Sequence, residues 1–174
     1  MKYKSILVVT YGRSGSTLLQ GLLNSIDNVV VRGENHDFCW GLYSSWKSLV
    51  LSKQQHSGES STDAWFRAGL LNADLFLQHA SEIIKEQLQL PDESLCYGFK
   101  EIRYIKHLHE LPAYLNFSQK AFPSPAIIFN TRSHLGVTPL FDFLKTECNE
   151  STLAKVLSTP HGYEQRQATI KNNA

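Results

Sequence analysis

Residues 10–17, Thr10-Tyr11-Gly12-Arg13-Ser14-Gly15-Ser16-Thr17, place an arginine, two glycines and several hydroxyls in one short stretch. They follow the apolar, β-branched run Ile6-Leu7-Val8-Val9 and lead directly into a helical pattern. A strand that enters a helix through such a loop leaves backbone N–H groups aimed outward. The positive end of the helix dipole adds to them, so the turn is suited to a phosphate or another oxyanion. Gly12 and Gly15 are expected to supply positive φ and to let the anion approach the backbone closely. Ser14, Ser16 and Thr17 add hydroxyl donors, and Arg13 adds a fixed charge with fork geometry. Two familiar phosphate loops are excluded. No Gly-Lys pair precedes Ser16 or Thr17, and the Gly-x-Gly-x-x-Gly spacing is missing.

The run from Tyr11 to Leu19 resembles the 5′-phosphosulfate loop of sulfotransferases that use 3′-phosphoadenosine-5′-phosphosulfate (PAPS). It is closest to the bacterial carbohydrate type, with Arg13 where many cytosolic members carry Lys. Two further segments fit the same family: Val31-Arg32-Gly33-Glu34, and Tyr97-Gly98-Phe99-Lys100-Glu101-Ile102-Arg103-Tyr104. The latter is followed by the apolar run Ile127-Ile128-Phe129-Asn130-Thr131-Arg132. The similarity covers about residues 4–136, while 137–174 diverge. It implies an α/β fold, a P-loop-like three-layer α/β/α arrangement with a central parallel sheet, in a single domain over 1–174. It also implies transfer of a sulfuryl group from PAPS, leaving 3′-phosphoadenosine-5′-phosphate (PAP), to a hydroxyl of a carbohydrate or other small acceptor.

Roles follow from that resemblance. Arg13 is expected to neutralise charge on the departing phosphate, while Ser14, Gly15, Ser16 and Thr17 cradle it. Glu34 is the candidate general base, with His36 as its rival because imidazole is intrinsically nearer neutrality. Partial burial beside Trp40 or Phe38 would strengthen Glu34 as a base. Lys100 is expected to contact the sulfuryl oxygens or the acceptor; the plainer reading of Lys100, Glu101 and Arg103 is a set of strand-end ion pairs. Arg132 is the candidate for the cofactor's 3′-phosphate. The family's later Ser position holds Leu140 here, and no Arg-Lys-Gly-like loop follows. Two other readings remain open: a non-catalytic PAP- or anion-binding relative, and a nucleotide kinase with a variant phosphate loop.

Alternating strands and helices are needed to bring these residues to one edge. The pattern predicts strands over 5–10, 28–32, 95–102 and 126–131, and helices over 16–26, within 38–53, within 63–90, near 104–117 disturbed by Pro112, and across 134–146. Parallel βαβ units follow, with Thr10, Arg32, Glu101 and Arg132 at strand ends on the ligand-binding edge. The polar stretch Gln54–Asp63 reads as a surface loop.

The bulk properties agree with a local anion site. Seventeen Lys and Arg against sixteen Asp and Glu leave no electrostatic footprint for nucleic acid or an anionic membrane. Cys39, Cys96 and Cys148 are scattered and odd in number, which points to reduced thiols and to no metal site. No apolar run approaches a membrane span and none reads as a signal peptide, so the cytoplasm is the simplest location. No repeat or heptad fixes an oligomeric state.

Overall fold

The computed structural model describes residues 2–55 and 58–131. Four strands, β1 (Ser5–Val9), β2 (Val29–Arg32), β3 (Cys96–Glu101) and β4 (Pro125–Phe129), form one all-parallel sheet in the order β2-β3-β1-β4. Four α-helices connect and cover it: α1 (Ser16–Leu23), α2 (Phe38–Lys53), α3 (Ala73–Gln87) and α4 (Leu111–Ala121). This is an α/β fold.

The strand alternation divides the core in two. Ile6 and Val8 pack with Leu19 and Leu23 of α1 and with Val29 and Val31. Leu7, Val9 and Phe99 face the opposite way, toward Tyr43 of α2, Ile84 of α3, and Tyr114 and Phe117 of α4. Burial on both faces explains why β1 reads as an unbroken apolar run rather than an alternating one. From β1 the chain crosses over β3 to reach β2, and from β3 it crosses over β1 to reach β4. The connections of these two neighbouring strands therefore diverge. The crevice beyond their carboxyl ends is the sheet's switch point, where ligands of such sheets bind.

Two predicted helices need adjustment. The pattern over 63–90 yields a helix only from Ala73, because the Asn72 side chain accepts the Leu75 N–H at 2.9 Å and caps the helix there. Just before it lies a short 3₁₀ turn, Ala68–Leu70, entered through a left-handed Arg67. Pro112 starts a helix rather than disturbing one. It lies in the first turn of α4, where a missing N–H breaks no intrahelical bond. The preceding 3₁₀ winding, Arg103–Glu110, is interrupted at His107. The helix predicted over 134–146, together with Arg132 and Cys148, lies outside the described residues.

Candidate functional site

The loop between β1 and α1 is held from two sides. The Thr10 N–H donates to the Glu101 carbonyl at 3.3 Å, and the Asn130 N–H donates to the Val9 carbonyl at 3.0 Å. The Thr10 hydroxyl donates to the Asn130 carbonyl at 2.9 Å and lies 2.6 Å from the Ser14 hydroxyl. The Asn130 amide donates in turn to the Ser14 hydroxyl at 3.0 Å, the Thr10 hydroxyl at 3.2 Å and the Ser14 carbonyl at 3.3 Å. One asparagine beyond the end of β4 thus ties the loop to the sheet.

That fastening sorts the loop's side chains. Ser14 and Ser16 are buried, whereas Gly12, Arg13, Gly15 and Thr17 face solvent. The Ser14 hydroxyl is engaged with Thr10 and Asn130, so Ser14, Gly15 and Ser16 would meet an anion chiefly through backbone N–H groups. Gly15 caps α1 with φ +83°, no side chain caps that end, and no acidic residue sits in the first turn. The first N–H groups of a helix have no acceptor within it, and nothing in this turn offsets the dipole. The second left-handed position is Arg13 (φ 62°), not Gly12. An L-residue held there is strained by roughly 1–2 kcal/mol.

The second half of the site gathers at β3 and the loop after β2. Lys100, 5 % exposed, donates to Glu34 Oε1 at 3.0 Å. Arg103 NH1 donates to Glu34 Oε2 at 3.4 Å and to Glu101 Oε1 at 2.8 Å. The Glu34 side chain remains 34 % exposed, and its hydrogen-bond partners are these two cations. Lys100 pairs with Val8 across the sheet, one step before the strand that opens into the anion loop ends. A Cβ on Gly33 would sit about 3.9 Å from the Gln20 side chain of α1. The Glu34 loop therefore runs alongside α1, whose N-terminus is the candidate anion site. Glu34 and Lys100 are paired at the carboxyl end of β3, and Arg13 and Thr17 lie on the loop and helix start that follow the neighbouring strand β1.

Glu101 is 2 % exposed and accepts five hydrogen bonds. Oε1 takes the N–H of Ile102 (2.8 Å) and Arg103 (3.1 Å) besides the guanidinium. Oε2 takes the N–H of Asn35 (3.2 Å) and Asp37 (3.3 Å). Burial pushes its carboxyl up, yet the hydrogen bonds from Ile102, Asp37 and Arg103 outweigh burial and hold it below the ordinary Glu value of 4.5. A depressed folded value contributes stability that is complete above the unfolded value and vanishes as pH falls through the folded one. Urea midpoints measured between about pH 6 and pH 3 should therefore be flat above about 4.5 and fall below it. In Glu101→Gln that part of the acid limb should disappear.

The remaining expectations separate. Arg32 does not join the site. Its guanidinium donates to the Leu88 and Gln89 carbonyls at 2.8 and 2.6 Å, capping the C-terminus of α3, where a cation is also favoured by the dipole. His36 is exposed on the loop beside Glu34, in a left-handed conformation (φ 55°) shared with Asp37 (φ 63°). His107 stacks flat on Trp40, ring centroids 3.8 Å apart, with its Nε2 3.8 Å from Asp37. Trp40 and Trp46 pack against the core, while Trp65 is exposed. Cys39 and Cys96 are buried free thiols, and burial pushes Cys39 up to about 12. Among the described residues no group of His, Cys, Asp or Glu is placed to hold a metal ion, and no helix is long and apolar enough to cross a membrane.

No family model, curated protein or solved structure matches this chain. Its chemistry must be read from the site. Sequence reasoning passed over Asn130 and took Glu101 only as a member of a strand-end ion-pair set; its pair with Arg103 is present, and its four backbone donors were missed. Asn130 left one signal, a polar amide closing an apolar strand at the edge where ligands bind.

Proposed function

We propose that this chain is a PAPS-dependent sulfotransferase acting on a hydroxyl of a carbohydrate or other small acceptor, built on a P-loop-like three-layer α/β/α scaffold. What supports the reading is that two features follow the adjacent strands β1 and β3 at the switch point: a helix start with no side-chain cap, and a partly exposed carboxylate paired to two cations. An oxyanion and a proton-bearing nucleophile are both provided for there. Backbone N–H groups of the 14–16 turn, Arg13 and Thr17 bind the 5′-phosphate and stabilise its charge as it departs. PAPS supplies the sulfuryl group. The S–O bond to the 5′-phosphate breaks as a new S–O bond to the acceptor forms, and the acceptor's proton passes to the Glu34 carboxylate. Lys100, which donates to Glu34 Oε1, exchanges that partner for a sulfuryl oxygen. Arg132, the candidate for the 3′-phosphate, follows Asn130 by two residues in sequence.

Calorimetry with PAP tests the reading directly. Wild type should bind PAP and prefer it to ATP with Mg²⁺, a preference that a nucleotide kinase would reverse. Arg13→Ala and Thr17→Ala each remove a donor to the phosphate, costing about 1.5–3 kcal/mol for a charge-assisted contact, or roughly 10- to 150-fold in Kd. Unchanged PAP affinity in both variants removes the sulfotransferase reading. Tight PAP binding without turnover of PAPS reassigns the chain as a binding protein.

A further inference from the structure

We propose that Glu101 is the positioning residue of this site: one buried carboxylate that fastens the loop bearing Glu34 to the turn bearing Arg103, and thereby aims the Glu34 carboxylate. The inference rests on the sulfotransferase reading for its kinetic part and on geometry alone for the rest.

Two separate segments converge on the two oxygens of Glu101. Oε1 faces the turn after β3, through Ile102, Arg103 and the guanidinium. Oε2 faces the loop after β2, through the Asn35 and Asp37 N–H groups. Those two donors bracket His36, and His36 and Asp37 both hold left-handed backbone without being glycine. A loop does not keep two such residues unless its surroundings over-determine it, and strain of this kind gathers where a side chain must be presented in one way. The residue presented here is Glu34, immediately before Asn35. Its second cation, Arg103, is shared through the same NH1 with Glu101. Glu101 therefore fixes both the backbone that carries Glu34 and the guanidinium that orients it. The Glu101 carboxylate takes no part in the hydrogen bonds among Thr10, Ser14 and Asn130 side chains that fasten the loop after β1, which meets Glu101 through that residue's main-chain carbonyl.

The test uses Glu101→Gln and Glu101→Asp in the full chain. Gln keeps the shape but turns an NH₂ toward N–H donors on one side. Asp keeps the charge but is one methylene too short to reach both sides, so a purely electrostatic role would be restored by Asp and a positioning role would not. With PAPS and a panel of sugar and aryl alcohols, both variants should lose at least about tenfold in kcat with little change in KM for PAPS. The carboxyl ¹³C resonance of Glu34, assigned by its loss in Glu34→Gln, should move in both as it does in Arg103→Ala. Normal kcat with an unmoved Glu34 resonance in a folded variant overturns the proposal, as does full recovery in Asp. If neither variant folds, wild type decides. Its Asn35 and Asp37 amide protons should titrate with the midpoint of the Glu101 carboxyl carbon. Midpoints that follow the Glu34 and Asp37 carbons instead overturn it. A wild type that does not turn over PAPS removes the sulfotransferase reading and leaves both NMR results to judge Glu101.

Discussion

Glu34→Gln is expected to leave the chain folded and PAP affinity within about twofold of wild type, while turnover of PAPS falls roughly 10²-fold or more. Glu34 lies in the second half of the site, paired to Lys100 and Arg103, and the residues proposed to hold the phosphate lie across the switch point on the anion loop. Gln preserves an oxygen for Lys100 but cannot take the acceptor's proton. A rate loss without an affinity loss is the signature of a group that acts as the bond changes rather than on binding. His36→Ala sets the comparison, because His36 occupies the same loop. A near-normal Glu34→Gln together with a large loss in His36→Ala would transfer the base to the imidazole.

The largest effect on stability is expected at Gly98. It pairs with Ile6 where β3 runs beside β1, and a Cβ added there would overlap the Ile6 carbonyl oxygen. Because the obstacle is backbone in the middle of a sheet, no side chain can rotate away to accommodate it. Gly98→Ala should cost about 3 kcal/mol or more, seen as a lower urea midpoint, since the two central strands must separate. Gly41, inside α2 with open space around it, is the control: Gly41→Ala should gain about 0.4–1 kcal/mol. Similar midpoints for the two variants would show that β1 and β3 can yield at this point. Both site halves would suffer with β3, since Lys100 and Glu101 end that strand.

What was legible from the residues was what local patterns encode. The β1–α1–β2 unit appears within a few residues of its expected bounds, because an apolar run, a glycine-bearing loop and a helical period are all short-range signals. The pairing of Lys100 was not legible: the strand-end reading joined it with Glu101 and Arg103, whereas it pairs with Glu34 and only Arg103 meets Glu101. Arg32 shows the same limit. It also ends a strand, yet the open carbonyls at the end of α3 lie closer to it than the site does. Gly12 shows another: composition marked a left-handed position in the loop, and the strain fell on Arg13 instead. Glu101 was hidden for a different reason. Two of its partners are backbone N–H groups 64 and 66 residues away, and residue types carry no mark of where a main-chain donor will point.

Asn130 gives the fold an order of assembly. The loop it fastens is made among the first residues of the chain, but Asn130 stands 116 to 120 residues further along. Contacts of such separation close late, after the entropy of a long loop has been overcome. The side-chain fastening of the loop after β1 therefore requires β4 docked beside β1. The proposed anion binding is thus expected only of the finished sheet, and would report on whether the last described strand is in place.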